Sequence, residues 1–153
     1  VTALKDAATR FNNYISHGQT PVILYFGDAD PSGMGILESI KKHLAQFMGD
    51  SIVKMEFKRV ALWPDQAREM NLLPFPVKLT DTRASVYLAQ YGDTCWEVDA
   101  LTPEQIEQFI RTEVEYLVIP ELRESVLALE NKDRQVLIQI AGRWDEISKM
   151  LTA

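Results

Sequence analysis

The stretch Pro21-Val22-Ile23-Leu24-Tyr25-Phe26-Gly27-Asp28-Ala29-Asp30-Pro31-Ser32-Gly33 decides how the rest of the chain is read. Val22 to Phe26 is a continuous apolar run rich in β-branched and aromatic side chains. It predicts a strand buried on both faces, as in a parallel sheet. Open α/β sheets place their ligands beyond the carboxyl ends of the strands, and Asp28 and Asp30 stand at such an end. Being two apart, they point the same way from an extended chain. Like charges held close repel, and burial makes this worse. A hard divalent cation is the usual remedy, because Mg²⁺ is held by one or two carboxylates plus waters. Pro31-Ser32-Gly33 then turns into a helix whose free N–H groups favour an anion. A cation site beside an anion cradle suits a phosphate ester. The plainer alternative is a strand-to-helix turn with Asp30 or Ser32 as its cap. Asp28, too far from the helix to cap it, counts against that alternative.

Outward from this stretch, strands and helices alternate. Leu4, Ala7, Ala8, Phe11, Tyr14 and Ile15 have helical spacing over 2–16, and Ile36, Ile40, Leu44 and Phe47 give a second helix over 34–48. Residues 52–57 alternate and, with Val60-Ala61-Leu62, predict a second strand; Lys58 and Arg59 read as a solvated strand end. Trp63-Pro64-Asp65 opens a short helix through Met70, and 71–79, with Pro74 and Pro76, is a loop. Thr80 or Asp81 caps a helix stopped by Gly92, and 94–98 is a third short strand. Thr102-Pro103 starts a helix to about Ile119, with Ile106, Phe109, Ile110, Val114 and Leu117 inward. Two further apolar series follow. Leu122, Val126 and Leu129 form one; Leu137, Ile140, Trp144, Ile147 and Leu151 form the other. They predict one long helix, or two joined near Asn131. The expected fold is α/β, a parallel sheet with flanking helices and a helical C-terminal segment.

The 153 residues suffice for one domain with a proper core. A net charge of -6 argues against a free-standing nucleic-acid binder, since phosphate contacts need clustered Lys and Arg. A lone cysteine, Cys95, excludes an intrachain disulfide framework and favours a reducing, cytoplasmic setting; it reads as a buried apolar residue. No apolar run approaches the ~20 residues that span a bilayer. Val1-Thr2-Ala3-Leu4-Lys5-Asp6 reads as the start of a helix, not as a signal peptide. A start at Val1 suggests a processed product or a piece of something longer.

Asp-x-Asp-Pro-x-Gly after an apolar strand resembles the second acidic motif of the TOPRIM fold, in the form found in the A subunit of topoisomerase VI and its relatives. Arg59-Val60-Ala61-Leu62, Pro74-Phe75-Pro76-Val77-Lys78-Leu79-Thr80-Asp81-Thr82-Arg83 and Trp96-Glu97-Val98-Asp99-Ala100-Leu101 resemble a group of phage and bacterial proteins with such a domain. The resemblance covers roughly residues 20–118 and implies a TOPRIM-like domain over 1–118, with 119–153 as a C-terminal helical extension. It implies Mg²⁺ or Mn²⁺ on Asp28 and Asp30, phosphodiester cleavage or transfer, and DNA reached through a larger assembly, with a homodimer as a further expectation. The family's glutamate, on a strand before the aspartates, and its winged-helix tyrosine have no counterpart here. Tyr14, Tyr25, Tyr87, Tyr91 and Tyr116 fall in apolar patterns and read as packing.

Glu97 and Asp99 repeat the two-apart spacing. Either they join the metal ligands, with Glu97 the candidate catalytic carboxylate, or Asp99 caps a turn. Ser32 and Gly33 at the helix start, and Lys78 and Arg83 after the loop, are candidate phosphate or DNA contacts; the alternative for Lys78, Asp81 and Arg83 is an internal salt bridge and a cap. Two other functions fit the sequence. A phosphatase of the haloacid dehalogenase type also uses Asp-x-Asp after a strand, but usually carries Thr or Val where this chain has Ser32. A non-enzymatic interaction module would make its contacts through the C-terminal helices.

Overall fold

The computed structural model describes Thr2–Leu151. Its elements are α1 (Thr2–Ser16), β1 (Val22–Phe26), α2 (Ile36–Met48), β2 (Glu56–Ala61), α3 (Pro64–Glu69), β3 (Phe75–Pro76), α4 (Ala84–Tyr91), β4 (Thr94–Cys95), α5 (Pro103–Leu117), α6 (Pro120–Gly142) and α7 (Trp144–Leu151). The protein is mixed α/β and mostly helical, with a small two-strand parallel sheet and a long C-terminal helix. It divides into two compact units, one through Glu113 and one from Val114 onward. No described helix is long and apolar enough to cross a membrane.

β1 and β2 run parallel, from Val22 opposite Glu56 to Tyr25 opposite Arg59. A register shift then sets Phe26 opposite Ala61. The ladder continues past both strand ends. The Gly27 N–H donates to the Ala61 carbonyl and the Leu62 N–H to the Gly27 carbonyl, each at 2.8 Å. The backbone is therefore tied down immediately before Asp28. α1 and α2 close one cluster, in which Ala8, Leu44, Met48 and Met55 are buried against Ile23 and Phe57 of the strands. A second cluster holds Ala29, Ala61, Leu62, Ala67, Trp96 and Leu101, with Ile106 and Phe109 of α5 packed on it. Val77, Ala84 and Tyr87 make a third.

The parallel sheet is smaller than the sequence predicts. Thr94–Cys95 does not extend it; β4 pairs antiparallel with β3, and Trp96 forms an antiparallel bridge with Ala29. Proline explains the short ladder, since Pro76 has no N–H to donate and Pro74 lies just outside. With so narrow a sheet, β1 is half-buried along its length rather than covered on both faces. Residues 52–54 are not strand but the end of a 3₁₀ segment, Gly49–Lys54; Gly49 at φ +57° ends α2, and Val53 is left 81% exposed. In α5, Ile106 and Phe109 face the core as expected, but Ile110, Val114 and Leu117 are exposed.

In the second unit, the break falls at Gly142–Arg143 rather than near Asn131. Asn131-Lys132-Asp133-Arg134 stays helical, helped by an Arg134–Glu130 pair at 3.0 Å one turn apart. Leu122, Val126, Leu129, Leu137 and Trp144 are exposed. The side chains of Ile147 and Leu151 lie outside the described residues.

Candidate metal centre

Ala29, between the two aspartates, is fully buried. Its N–H donates to the Trp96 carbonyl at 2.8 Å, and its own carbonyl accepts from the Trp96 N–H at 3.1 Å and from the Tyr87 hydroxyl at 2.7 Å. Pinning Ala29 inward leaves Asp28 and Asp30 to flank it, each half-buried. Asp28 Oδ1 accepts the Val98 N–H at 2.8 Å, and Asp30 Oδ1 accepts the Gly33 N–H at 2.5 Å. No described residue donates to the Oδ2 atom of either. Carboxylate oxygens of this kind are the donors a hard divalent cation takes.

The turn is held from below by Arg59, 8% exposed. Its Nη1 donates to the Gly33 carbonyl at 3.0 Å; its Nη2 donates to the carbonyls of Gly27 at 2.8 Å, Asp28 at 2.5 Å and Leu62 at 2.9 Å. The guanidinium also lies over the rings of Tyr25 and Trp63, at 5.3 and 5.5 Å. Burial pulls its pKa down from the ordinary arginine value, and the Tyr25 and Asp28 charges act the other way. Arg59 is thus no solvated strand end. The pairing is regular through Tyr25 opposite Arg59, so alternation along β2 sets Arg59 on the same face as Phe57, away from the exposed Lys58. The available signal was an arginine set against Val60-Ala61-Leu62, since an arginine inside an apolar run needs a dense set of acceptors.

Gly33 is required sterically. A Cβ there would overlap the Asp28 carbonyl oxygen and stand 3.0 Å from Asp30 Oδ1. Gly33 is buried, and its N–H is already given to Asp30. The Ser32 hydroxyl donates to Asp81 Oδ2 at 2.6 Å, and Asp81 Oδ1 accepts the Arg83 N–H at 2.8 Å. Of the expected anion cradle, the Gly33 N–H and the Ser32 hydroxyl are therefore both already engaged. The bonds from Ser32 and Arg83, the Ser32 one foremost, hold the Asp81 carboxyl below the usual aspartate range.

Asp30, Ser32, Lys78, Asp81 and Glu97 line one cleft of about 430 Å³, with Phe75 and Pro76 on its apolar side. Lys78 and Glu97 are exposed there. Arg83 lines a different cleft from Lys78, while Asp81 bonds to the backbone of both, its N–H donating to the Lys78 carbonyl and its Oδ1 accepting the Arg83 N–H. Asp99 is exposed in the turn Val98–Ala100. The convergence of four carboxylates is not realised, because among the described residues no three of His, Cys, Asp and Glu gather as a metal-holding group. The antiparallel bridge sets Trp96 opposite Ala29, and beyond it Glu97 and Asp99 are both exposed. Cys95, half-buried rather than buried, lines the Lys78 cleft, and partial burial pushes its thiol pKa up.

Tyr87 is the second residue that sequence reasoning undervalued. Its hydroxyl joins Ala29 to the Thr94 carbonyl at 3.1 Å, and burial pushes its pKa up to about 12. Nothing in the spacing of Tyr87 distinguishes this bond from packing. Tyr14 and Tyr116, read as packing, are 49% and 85% exposed. No family model, curated protein or solved structure matches this chain.

Proposed function

We propose that this chain is the metal-holding part of a TOPRIM-like domain in a larger DNA-processing protein, working in phosphodiester cleavage or transfer with Mg²⁺ or Mn²⁺. The observation that carries the reading is the Asp28–Asp30 pair, each carboxylate with an oxygen to spare, beside a buried alanine at the carboxyl end of β1. A bound divalent ion would stabilise the negative charge that develops on a phosphodiester. The chain's own residues have separate tasks. Arg59 fixes the turn so that the aspartates need no rearrangement to bind. Lys78, on the same cleft as Asp30, offers a positive charge to a phosphate. Glu97 on the same cleft is the carboxylate available for proton transfer. The residues described ahead of β1 form α1, so the glutamate strand implied by the resemblance has no counterpart among them; in this reading that group, like the DNA, belongs to the larger assembly. Thermal unfolding with and without Mg²⁺ or Mn²⁺ tests it. The wild type gains stability, and the Asp28→Asn, Asp30→Asn double variant gains none. Equal gains in both would remove the metal claim.

The exposed Leu122, Val126, Leu129 and Leu137 of α6 favour a second reading, in which the chain acts by contact as a homodimer. Sedimentation in EDTA decides it. Self-association that ignores both aspartates supports it, and a monomer at micromolar concentration ends it.

A further inference from the structure

Pro31 is shared by two clefts. The one away from Lys78 and Glu97 has a volume of about 530 Å³. That lies within the roughly 300–1,000 Å³ of small-molecule sites. Its features are chemically distinct from those of the metal centre. Trp63 is 38% exposed yet fixed, because its indole N–H donates to the Arg59 carbonyl at 3.3 Å and its ring rests on the Arg59 guanidinium. It therefore offers a flat aromatic surface that costs little entropy to engage. Tyr91 gives a second ring, tilted 49° against Tyr87 at 5.1 Å. The charge is net positive: Arg59 and Arg83 line the cleft against one carboxylate, Glu38. Arg59 makes no ion pair with a described carboxylate, its donors going to backbone carbonyls. Arg83 is exposed, so its side chain can reach an anion at the cleft edge.

A planar aromatic wall with cations beside it and a few hydrogen-bonding groups at the rim matches one ligand chemistry, a heteroaromatic base carrying a phosphate. We propose that this cleft binds a nucleotide unit, with the base against Trp63 and the phosphate at Arg83. Stacking on an aromatic ring tolerates any base, because every base has a π-face. Arg83 gives the phosphate a forked set of donors. The site requires no metal, so it stands or falls apart from the Asp28–Asp30 reading. Its occupant is either a free mononucleotide or a nucleotide within a single strand.

Titration calorimetry on the whole chain in EDTA, with dTMP, AMP and ribose 5-phosphate, tests the proposal, together with the anisotropy of a labelled oligo(dT). Both nucleotides should bind, and ribose 5-phosphate at least about tenfold more weakly, the share carried by stacking. Trp63→Leu and Arg83→Ala should each weaken nucleotide binding about tenfold. Trp63→Phe, which keeps a ring, should restore most of the first loss and so separates stacking from misfolding. Oligo(dT) binding far above dTMP assigns the site to a strand; equal or lower affinity assigns it to a free nucleotide. The proposal is overturned if neither nucleotide nor oligo(dT) binds at millimolar concentration, if ribose 5-phosphate binds as well as dTMP, or if the affinities ignore both Trp63→Leu and Arg83→Ala.

Discussion

The Nη2 of Arg59 donates to the carbonyl oxygen of Asp28 at 2.5 Å, so this arginine holds the first aspartate by its backbone and leaves the carboxylate for other partners. The same group reaches across the turn to Gly27 and Gly33. Removing it leaves the Asp28 carbonyl without a described donor. A buried acceptor so orphaned costs about 1–3 kcal/mol, and the relief of desolvating a guanidinium returns part of the loss. Arg59→Leu is expected to destabilise the chain by about 2 kcal/mol in urea unfolding. Arg59→Lys should recover less than half of that, because an ammonium cannot span the carbonyls that the planar fork spans.

Gly33 and Gly35 give a matched pair. A methyl at Gly33 collides with backbone, which cannot swing aside, while a Cβ at Gly35 meets nothing within 4 Å. Gly33→Ala should cost about 1–3 kcal/mol, measured by thermal unfolding, and should blunt any metal response with it. Gly35→Ala, just before α2, should be neutral or slightly stabilising. Equal effects would mean that the turn does not have the close approach described.

How much of this was open to a reader of the sequence depends on range. Val22–Phe26, the helices on either side of it and the short helix after Trp63 follow from local patterns, and they were legible. So was the placing of Asp28 and Asp30 at a strand end. What was hidden depends on tertiary register. The carbonyls of Gly27, Asp28 and Gly33 that take up Arg59 come from another strand end, and the Ala29–Trp96 bridge is antiparallel where alternation of strands and helices suggested parallel. Polar pairs far apart in sequence, such as Ser32 with Asp81, leave no mark in spacing. The exposure of α6 was hidden for another reason. Helical periodicity predicts that an apolar stripe exists, not that something covers it.

Tyr87 makes the turn sensitive to alkali. Its folded pKa is raised from 10.0 to about 12 by burial. The stability this gives is fully present below the unfolded value and is lost as pH rises through the folded one. Tyr87→Phe should be about 1 kcal/mol less stable than the wild type at neutral pH, and the gap should close and then reverse as pH rises from 10 toward about 12, because a rise from 10.0 to about 12 is worth more than that gap. Urea midpoints of the two proteins across that range check it. A gap that stays constant would show that the hydroxyl does not titrate with folding.

Asp81 sets the opposite limit. Its carboxyl is held below the usual range by the Ser32 hydroxyl and the Arg83 N–H. That contribution is present above the unfolded pKa and is lost as pH falls through the folded one. Ser32→Ala should therefore be less stable than the wild type at neutral pH and should flatten the acid limb of the stability profile as pH falls through and below the usual aspartate range. The denaturation midpoints of Ser32→Ala and the wild type should converge on acidification; parallel curves would count against the bond.

The two aspartates differ in what each would lose as an asparagine. Asn at position 28 can still accept the Val98 N–H, and Asn at position 30 the Gly33 N–H, so each single variant keeps the turn and sheds one charge. Metal-free stability should then move by less than about 1 kcal/mol in either direction, with relief of like-charge repulsion on the favourable side. The metal response should behave otherwise. A free ion concentration tenfold above Kd adds about 1.4 kcal/mol to the wild type. Mg²⁺ held by two carboxylates should lose most of that gain with either single substitution, and the double variant should add little further loss because the site is already broken. Loss of the free Mn²⁺ electron paramagnetic signal measures the binding directly. If Asp28→Asn retains full affinity while Asp30→Asn loses it, the ion sits on the cleft with Lys78 and Glu97 rather than between the aspartates, and the shared site proposed for Asp28 and Asp30 is wrong.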